Sequence, residues 1–243
     1  MASRLPLTVI IPTWCEANRI TESVRAAAAI SDDVIVADAD SPDGTEALAR
    51  AAGARVVSAP RSRGAQLHAG ALAARGDVLL FLHADATLSA GARAAIEEAL
   101  ADPEVVAGNF YLEFVPDSFS ARIFTKVNDL RRRWLKIYYG DSGLFIRRTS
   151  YEQLGGFRAL PILEDYELVR RLERAGRTAY LRHVVVRASA RRFESSPLRT
   201  LLGWTIIQAL YSAFGVSPER LARYYRHVRG PQAAAQEPRH EAR

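Results

Sequence analysis

The sequence predicts an α/β fold with a mostly parallel β-sheet in a single domain. Strand-like and helix-like segments alternate through the first part of the chain, which is typical of a parallel, doubly wound sheet. Residues 78–82 are five consecutive large apolar residues, as expected of a strand buried on both faces in the middle of such a sheet. The 243 residues contain no obvious linker or internal repeat and are enough to bury one full core.

The first part of the chain is predicted as four β-α units in order. Each strand is short and apolar and is followed by a helical segment. Turn residues separate the units: residues 38–44 are dense in them, and Gly53 ends the second helix. The predicted strands are residues 7–11, 34–37, 55–57 and 78–82, and the predicted helices are residues 19–29, 45–52, 64–74 and 90–100.

The pattern changes after residue 100. Residues 109–115 alternate, which predicts an antiparallel or edge strand. The elements predicted next are a basic helix over 120–138, a strand over 143–146, an amphipathic helix over 164–175 and a strand over 180–186.

The C-terminal part is predicted to be helical and then disordered. Residues 198–214 are apolar but are interrupted by Arg199 and Gln208. A membrane-spanning helix needs about 20 mostly apolar residues, so we expect this segment to pack or to touch a bilayer without crossing it. Residues 230–243, rich in alanine, proline and charge, are predicted to be disordered.

The formal net charge of +6 predicts an anionic partner. The charge is concentrated in the second half, most densely at residues 131–133, where it indicates either a solvated helix face or contact with a phospholipid or anionic acceptor. No zinc-finger spacing, RNA-binding signature or basic-zipper heptad accompanies it, so no nucleic-acid partner is expected.

The single cysteine, Cys15, excludes an internal disulfide and suits a reducing compartment. A predicted strand begins at Leu7, which leaves no room before it for the apolar core of a signal peptide. We therefore expect a cytoplasmic protein, with contact at the inner face of the membrane left open.

The turn after the first strand, residues 12–16, contains no glycine. A dinucleotide-dependent dehydrogenase needs a glycine-rich turn there so that backbone amides can approach the pyrophosphate, and that class is disfavoured. Asp38, which ends the second strand, can still bond a ribose or a base edge. A diphosphate without backbone amides around it calls for a divalent cation instead.

His83 and Asp85 follow the buried strand, where ligands bind in open α/β sheets. One carboxylate together with the ligand's own phosphates is the usual arrangement for Mg²⁺ or Mn²⁺, and a nearby imidazole suits Mn²⁺ somewhat better. On this stretch alone the competing interpretation is that Asp85 caps the next helix.

Asp165 is the candidate general base that such chemistry requires. It lies three, four and seven residues before Leu168, Val169 and Leu172, so it shares their apolar stripe, whereas its acidic neighbours at 164 and 167 are predicted to lie off that stripe. The competing interpretation is a first-turn acidic pair favoured by the helix dipole.

Five motifs, in the same order along about residues 5–195, resemble those of family 2 glycosyltransferases with the GT-A fold. They are Ile10-Ile11-Pro12-Thr13 with Glu16; residues 36–45; Leu82-His83-Ala84-Asp85, which resembles the DXD motif; residues 140–148, which begin Gly140-Asp141-Ser142-Gly143; and Leu163-Glu164-Asp165-Tyr166-Glu167, which resembles the ED motif. Arg191-Arg192-Phe193 falls roughly where other members carry an arginine-aromatic motif. The pattern Arg-Gly-Ala-Gln at residues 63–66 is shared with the compact arsenosugar-biosynthesis-type subgroup.

The resemblance implies a role for each of these positions. It assigns the nucleotide to Pro12, Glu16, Asp38 and Arg63; the donor sugar and acceptor to Gly64, Asp141 and Glu164; the diphosphate to Arg191 and Arg192; a Mn²⁺ or Mg²⁺ ion to Asp85 and His83; and proton removal to Asp165. The implied donor is a nucleotide-diphosphate sugar, with a UDP-sugar expected, and the acceptor is an unidentified hydroxyl for which a lipid-linked carrier is left open.

The resemblance also implies one GT-A domain over residues 5–229. Its parts would be a nucleotide-binding half (5–100), a donor-sugar and acceptor half (101–195) and C-terminal helices (196–229). Two positions depart from the family pattern: His83 replaces the first aspartate of the DXD motif, and Ala39 replaces the second acidic residue of an Asp-Asp pair.

We therefore predict an inverting, metal-assisted glycosyltransferase. One alternative is a sugar-phosphate nucleotidyltransferase, which should carry a glycine-rich, basic phosphate loop directly after the first strand. The other is a basic membrane- or nucleic-acid-binding module that keeps the fold without turnover.

Overall fold

The computed structural model describes residues 5–190 and 196–229. Its strands are β1 (Leu7–Thr13), β2 (Asp33–Asp38), β3 (Arg55–Ser58), β4 (Val78–Phe81), β5 (Thr87–Leu88), β6 (Val105–Val115), β7 (Leu144–Arg147) and β8 (Arg177–Ser189). Its α-helices are α1 (Ile20–Ala28), α2 (Thr45–Ala51), α3 (Arg63–Ala73), α4 (Ala92–Ala99), α5 (Phe119–Leu130), α6 (Arg148–Gln153), α7 (Glu164–Ala175), α8 (Pro197–Phe214) and α9 (Pro218–Arg229). A π-helical turn (Arg131–Leu135) follows α5, and a 3₁₀ turn (Gly140–Ser142) precedes β7.

All eight strands form one mixed sheet in the order β3-β2-β1-β4-β7-β6-β8-β5. The first four are mutually parallel, β7 is antiparallel to both of its neighbours, and β6 and β8 are parallel. The α/β class and the mostly parallel first half are therefore confirmed. Since Phe81 pairs with Leu144, the beginning of β7 lies at the carboxyl end of β4.

The core lies on both faces of this sheet. Along β4, Leu80 faces one apolar cluster with helices α1, α4 and α5, whereas Leu79 faces a second cluster with helices α3 and α7. Both leucines are fully buried, so the prediction of a central strand buried on both faces is confirmed. Helix α3 approaches β1 closely at Gly70, where an added Cβ would lie 2.4 Å from Ile10 Cγ2.

Several predicted elements differ from the observed ones. The alternating strand is longer and lies inside the sheet between β7 and β8, so the antiparallel pairing is confirmed and the edge position is wrong. The basic helix ends at Leu130 and gives way to the π-helical turn, after which Lys136 has a left-handed backbone with φ of 53°. The structure adds β5 and α6, which were not predicted, and the predicted tail at 230–243 lies outside the described residues.

The arginine run at 131–133 is not a uniform solvated face, because Arg132 is buried. Its Nε donates to Asn109 Oδ1 at 2.6 Å, and its Nη1 lies 3.3 Å from Glu173 Oε1. Its Nη2 donates to Thr178 Oγ1 at 3.0 Å. A buried arginine is stable when its donors find acceptors in this way. Arg132 therefore holds the π-helical turn to β6, α7 and β8, and only its neighbours remain available to an anionic partner.

Replacing this arginine should destabilise the fold much more than replacing the next one. Arg132→Met leaves the buried Asn109 and the partly buried Glu173 without this partner, and we expect a loss of about 3 kcal/mol in the free energy of unfolding. Arg133→Met is the matched control, because Arg133 is exposed and 3.9 Å from Asp129, and it should change stability by no more than about 0.5 kcal/mol. Urea unfolding of both variants measures the difference, and equal losses would contradict the structural role.

Candidate active site

The candidate site lies at the edge where the carboxyl ends of three adjacent parallel strands meet. Strand β1 lies between β2 and β4, so the residues that follow these strands are neighbours. The 3₁₀ turn before β7 lies at the same edge, and it contacts the N-terminus of α7. In open α/β sheets this edge is where ligands bind. The fold thus brings the predicted nucleotide, metal and base positions together from separate parts of the chain.

Asp38 connects the loops that follow β1 and β2. It is 2% exposed, and its Oδ1 accepts hydrogen bonds from Thr13 Oγ1 and Ser41 Oγ, each at 2.7 Å. Its Oδ2 accepts from the Ser41 amide at 2.8 Å. The carboxylate therefore shapes the two loops in addition to any contact that it makes with a ligand.

The same two loops are joined by further bonds at the predicted nucleotide position Glu16. The Glu16 amide donates to Thr45 Oγ1 at 2.9 Å, and the Ala17 amide donates to Asp43 Oδ2 at 3.1 Å. Burial would raise the pKa of Asp43, but hydrogen bonds from Thr45 and the Ala17 amide outweigh it and hold that pKa below its usual range. A charged Asp43 therefore fixes the loop that carries Glu16 and the adjoining Pro12.

Gln66 on α3 links the ends of β1 and β2, next to these loops, through two hydrogen bonds. Its buried side-chain amide donates to Thr13 O at 2.7 Å and to Ala37 O at 2.9 Å. Thr13 is the last residue of β1 and Ala37 is the last but one of β2, so one side chain holds both strand ends. This contact gives a structural reason for the glutamine in the Arg-Gly-Ala-Gln pattern.

Sequence reasoning missed an aromatic-cation pair in the same place. The guanidinium carbon of Arg61 lies 3.1 Å from the centroid of the Trp14 ring. Both side chains are partly exposed beside the loops that hold Asp38. A tryptophan in the glycine-free turn was a visible signal, but its partner is 47 positions away in the sequence. A flat, cationic surface of this kind suits a stacked base.

His83 and Asp85 lie on one tight turn directly after β4. The turn is closed by a hydrogen bond from the Ala86 amide to His83 O at 3.1 Å, and both residues are partly exposed. An imidazole and a carboxylate are a donor set that Mn²⁺ accepts, with the remaining positions left to phosphate oxygens and water. No cluster of three or more His, Cys, Asp or Glu that could hold a metal is found within residues 5–190 and 196–229.

Asp165 and His83 face each other across Gly140. Asp165 Oδ2 accepts a hydrogen bond from the Gly140 amide at 2.8 Å. A Cβ built on Gly140 would lie 3.4 Å from Asp165 Oδ2 and 3.7 Å from His83 Nε2. Because both distances start at one point, the two atoms lie within about 7.1 Å of each other. The glycine keeps this space open, and the turn after β4 is thereby placed beside the candidate base.

The first turn of α7 buries three carboxylates, so the expectation that Glu164 and Glu167 lie off the buried face is wrong. Glu164 Oε1 is 3.7 Å from Arg63 Nε, and Glu167 Oε2 is 2.7 Å from Arg171 Nη2. The turn is covered by α3 as well as by the core, which is why a one-sided helical pattern did not predict their burial.

Asp165 differs from those two glutamates in its partners. Its two oxygens accept backbone amide hydrogens, from Gly140 to Oδ2 and from Tyr166 to Oδ1 at 2.7 Å. Within residues 5–190 and 196–229, no arginine or lysine forms an ion pair with it. Each of the two glutamates, in contrast, has an arginine partner. Among the residues that the structure describes, Asp165 is therefore the carboxylate of this turn that is held in place without an arginine or lysine partner.

Gly64, assigned to the donor or acceptor region, lies against the same turn. An added Cβ would lie 2.4 Å from Arg158 O and 3.2 Å from Glu164 Cβ. The close approach explains the glycine by packing. It also places Gly64 next to Glu164, the other residue predicted for the donor sugar or acceptor.

An aromatic wall next to Asp165 was not predicted. The rings of Tyr139 and Tyr166 have centroids 5.7 Å apart, and the hydroxyls of both contact Gln208 on α8, at 3.4 and 3.5 Å. Burial, with the nearby Asp165 carboxylate, raises the pKa of Tyr139, so its hydroxyl stays protonated. The sequence separation between α7 and α8 hid this contact.

The model of the family described as glycosyl transferase family 2 matches residues 8–155, which is more than half of the chain. The chain belongs to this family. Membership classes it with glycosyltransferases and places the Asp38, His83-Asp85 and Gly140 positions inside the matched region. Comparison with curated proteins finds no match.

Solved structures share this fold, which is the GT-A glycosyltransferase fold. Glucosyl-3-phosphoglycerate synthase from Mycobacterium tuberculosis, in complex with Mn²⁺, UDP-glucose and phosphoglyceric acid, matches with a TM-score of 0.57 and 19% identity, over 82% of this chain and 79% of that one. Mannosyl-3-phosphoglycerate synthase from Rubrobacter xylanophilus matches with a TM-score of 0.54 and 16% identity, over 87% and 76%. A mycobacterial protein matches at 0.52 and 21%, and there the chain covers just under two thirds, 65%, of the other chain.

Of the remaining predicted site residues in this family 2 chain, one is described by the structure and two are not. Asp141 lies in the 3₁₀ turn between Gly140 and Ser142 and is partly exposed at the site. Arg191 and Arg192, assigned to the diphosphate, lie outside the described residues. Their role stays a prediction.

The open space at Gly140 can be tested without disturbing the fold. Gly140→Ala keeps the backbone amide that Asp165 uses, and its new methyl makes ordinary contacts, so we expect an unchanged Tm. The methyl enters the space between Asp165 and His83, so we expect sugar transfer to fall roughly tenfold to a hundredfold.

Gly91→Ala is the matched control for this substitution. Gly91 has a φ of +82° at the start of α4, with no atom within 4 Å of an added Cβ. Its replacement should cost stability through backbone strain and leave transfer unchanged. If Gly140→Ala kept the parent rate of transfer, or if Gly91→Ala lost as much activity as Gly140→Ala, the proposed use of the Gly140 space would be contradicted.

Proposed function

We propose that this chain is an inverting glycosyltransferase that moves a sugar from a nucleotide-diphosphate sugar to an acceptor hydroxyl, with Asp165 as the general base. The observation that carries the proposal is the difference among the three buried carboxylates of α7. Glu164 and Glu167 are engaged by arginines, whereas Asp165 is oriented by two backbone amides beside the Gly140 space. A carboxylate in that position can accept the proton of a hydroxyl as it attacks.

Inversion is inferred from the resemblance to family 2 glycosyltransferases, and one general base is what an inverting transfer requires. A hydroxyl hydrogen-bonded to Asp165 would attack the anomeric carbon from one side while the nucleotide diphosphate leaves from the other. The proton moves from the acceptor oxygen to an Asp165 oxygen, the new glycosidic bond forms, and the bond to the diphosphate oxygen breaks. No covalent sugar-enzyme intermediate is needed in this sequence.

The nucleotide is assigned to the loops after β1 and β2. Pro12 and Asp38 lie at the ends of these strands and Glu16 lies in the first loop, which also carries Trp14 of the Trp14–Arg61 pair, a stacking surface for a base. Arg63 is assigned to the nucleotide as well, and its neighbour Glu164, 3.7 Å away, would lie on the sugar side with Gly64 and Asp141. A UDP-sugar is the expected donor, which is supported by the UDP-glucose in the glucosyl-3-phosphoglycerate synthase complex of the same fold.

A Mn²⁺ or Mg²⁺ ion is assigned to Asp85, with His83 as a second ligand. The partly exposed turn that carries them fits such an ion, and the complex of the same fold contains Mn²⁺. When bound, the ion would neutralise charge that develops on the leaving diphosphate. Arg191 and Arg192 remain assigned to the same diphosphate.

The acceptor is assigned by class only. It is a hydroxyl that reaches Asp165 past Tyr139 and Tyr166, and a lipid-linked carrier at the inner face of the membrane fits the basic second half. Within the family, the Arg-Gly-Ala-Gln pattern and its bracing Gln66 support a place near the arsenosugar-biosynthesis-type subgroup. Residues 5–100, 101–195 and 196–229 keep their proposed roles as nucleotide half, sugar and acceptor half, and C-terminal helices.

A binding and hydrolysis screen tests this function. Nucleoside diphosphates and their sugars are tested by thermal shift with and without Mn²⁺, and slow hydrolysis of each sugar donor is then measured. We expect one nucleotide class to raise the Tm more with Mn²⁺ than without it, and its sugar to be hydrolysed. Binding of none of them would favour the non-catalytic module, and pyrophosphate release from a nucleoside triphosphate and a sugar phosphate would favour the nucleotidyltransferase.

A further inference from the structure

Helix α8 exposes an apolar stripe on the face that points away from the core. Its 18 residues contain one charged residue, Arg199. Gly203, Ile207 and Gln208 are buried against the domain. On the outer face, Leu198, Leu202 and Ile206 recur every fourth residue and are 69%, 53% and 44% exposed. A surface helix normally carries polar residues there.

A second exposed apolar stripe lies on α5 and the π-helical turn. Phe119, Leu130 and Trp134 are 82%, 51% and 74% exposed. The opposite face of α5 is buried through Ala121 and Phe124. Exposed tryptophan and phenylalanine side chains of this size mark contact surfaces when they are grouped.

The segments that carry the two stripes are in contact. Arg131, at the start of the π-helical turn, donates from Nη2 to Thr205 Oγ1 on the exposed side of α8 at 2.6 Å. Beneath this bond, the rings of Phe124 and Trp204 have centroids 6.4 Å apart. The two stripes, Leu198, Leu202 and Ile206 with Phe119, Leu130 and Trp134, are called the apolar face below.

Basic side chains surround the apolar face. Residues 119–136 contain six lysines or arginines and one acidic residue, Asp129, and of the six only Arg132 is buried. Lys126, Arg133 and Lys136 are exposed. On the other side, α9 packs against α8 and exposes Arg220 and Arg223. The partner of this surface must therefore combine an apolar interior with a negatively charged rim.

A second copy of the chain fits this surface less well than a lipid bilayer does. A symmetric dimer would place the same patch on both subunits, and the basic residues around it would be brought together. An anionic bilayer offers acyl chains to the apolar stripes and phosphate groups to the lysines and arginines. No helix within residues 5–190 and 196–229 is long and apolar enough to cross a membrane, α8 included.

We propose that the apolar face docks on an anionic lipid bilayer, with α8 and the π-helical turn lying in the plane of the interface. The inner side of α8 bonds through Gln208 and Ser212 to Tyr166, next to Asp165. Docking would therefore leave α8 between the lipid headgroups and Tyr166, the neighbour of the candidate base. The docking itself does not depend on sugar transfer.

Vesicle flotation of the full chain tests the proposal. Vesicles of phosphatidylcholine with phosphatidylglycerol are compared with vesicles of phosphatidylcholine alone, without nucleotide or metal. We expect the chain to float with the anionic vesicles and roughly tenfold less with the neutral ones, and to be released by high salt.

Two variants and two matched controls separate the apolar and charged contributions. Leu202→Ser/Trp134→Ser and Lys126→Glu/Arg133→Glu should each reduce binding roughly tenfold or more. Leu72→Ser removes a leucine that is 72% exposed on α3, and Arg25→Glu/Arg75→Glu makes the same change in net charge elsewhere. Both controls should bind like the parent protein. Tm and circular dichroism of each variant show that it is folded.

Three results would overturn the proposal. They are no flotation of the parent protein, equal loss in variants and controls, and a dimer in light scattering that the Leu202→Ser/Trp134→Ser variant abolishes. The last would assign the apolar face to a second copy. Because donor hydrolysis is measured separately, failure of docking leaves the proposed function standing, and failure of hydrolysis leaves docking standing.

Discussion

Asp165→Asn should abolish sugar transfer while leaving nucleotide binding intact. The substitution keeps the size of the side chain and leaves an oxygen that can accept from the Gly140 or Tyr166 amide. It removes the carboxylate that takes the acceptor proton, and loss of a general base costs roughly a hundredfold to ten-thousandfold in rate. Initial rates with saturating donor give the loss in kcat, and calorimetry with the nucleoside diphosphate shows whether the donor site is intact.

Glu167→Gln is an informative companion, since Glu167 is buried in the same turn and is paired with Arg171 and Arg158. It should lower the Tm more than Asp165→Asn and affect the rate less. An Asp165→Asn variant that keeps a tenth or more of the parent rate would remove Asp165 from the role of base. Loss of nucleotide binding in that variant would instead indicate a structural role.

Asp85→Ala should remove the metal dependence of nucleotide binding. In the parent protein we expect Mn²⁺ to tighten binding of the nucleoside diphosphate roughly tenfold or more, equivalent to about 1.4 kcal/mol or more. Without the Asp85 carboxylate the affinity in the presence of Mn²⁺ should fall to the affinity measured with a chelator. Calorimetric titrations with and without Mn²⁺ measure both values, and a variant that keeps the full effect of Mn²⁺ would refute this ligand assignment.

His83→Ala resolves the part of this prediction that concerns the departure from the DXD motif. If His83 is a ligand, the effect of Mn²⁺ on affinity should fall in this variant as well. Both side chains would then contribute to the effect of Mn²⁺ on nucleotide affinity. An unchanged Mn²⁺ effect would leave Asp85 and the diphosphate as the ligands. The position of His83 near Asp165 would then serve a role other than metal binding.

Local patterns predicted those parts of the protein that local physics determines. The apolar run of β4, the turn residues after β2 and the stripe on α7 led directly to the parallel sheet and to the positions of Asp38, Asp85 and Asp165. The extra length of β6 and its place inside the sheet were not predictable, because they depend on which strands pair with it rather than on its own alternation.

Three of the missed features join residues that are far apart in the chain. The Trp14–Arg61 pair, the hydrogen bond from Gly140 to Asp165, and the burial of Arg132 against Asn109 arise from tertiary contacts. A run of basic residues predicts a solvent-exposed helix face, and the sequence gives no sign of the distant acceptors that allow Arg132 to be buried. The π-helical turn was missed for a local reason, since its sequence continues the helical pattern of α5.

The single continuous sheet limits how this molecule can change shape. The donor positions follow β1, β2 and β4, and the base is reached through the turn before β7, which pairs directly with β4. In the part of the chain that the structure describes, strands of both halves belong to this sheet, so no hinge separates the halves into two lobes that could rotate over a substrate. Any closure around the donor must come from segments outside the sheet, so structures with and without nucleotide should superpose along all of β1, β2, β4 and β7.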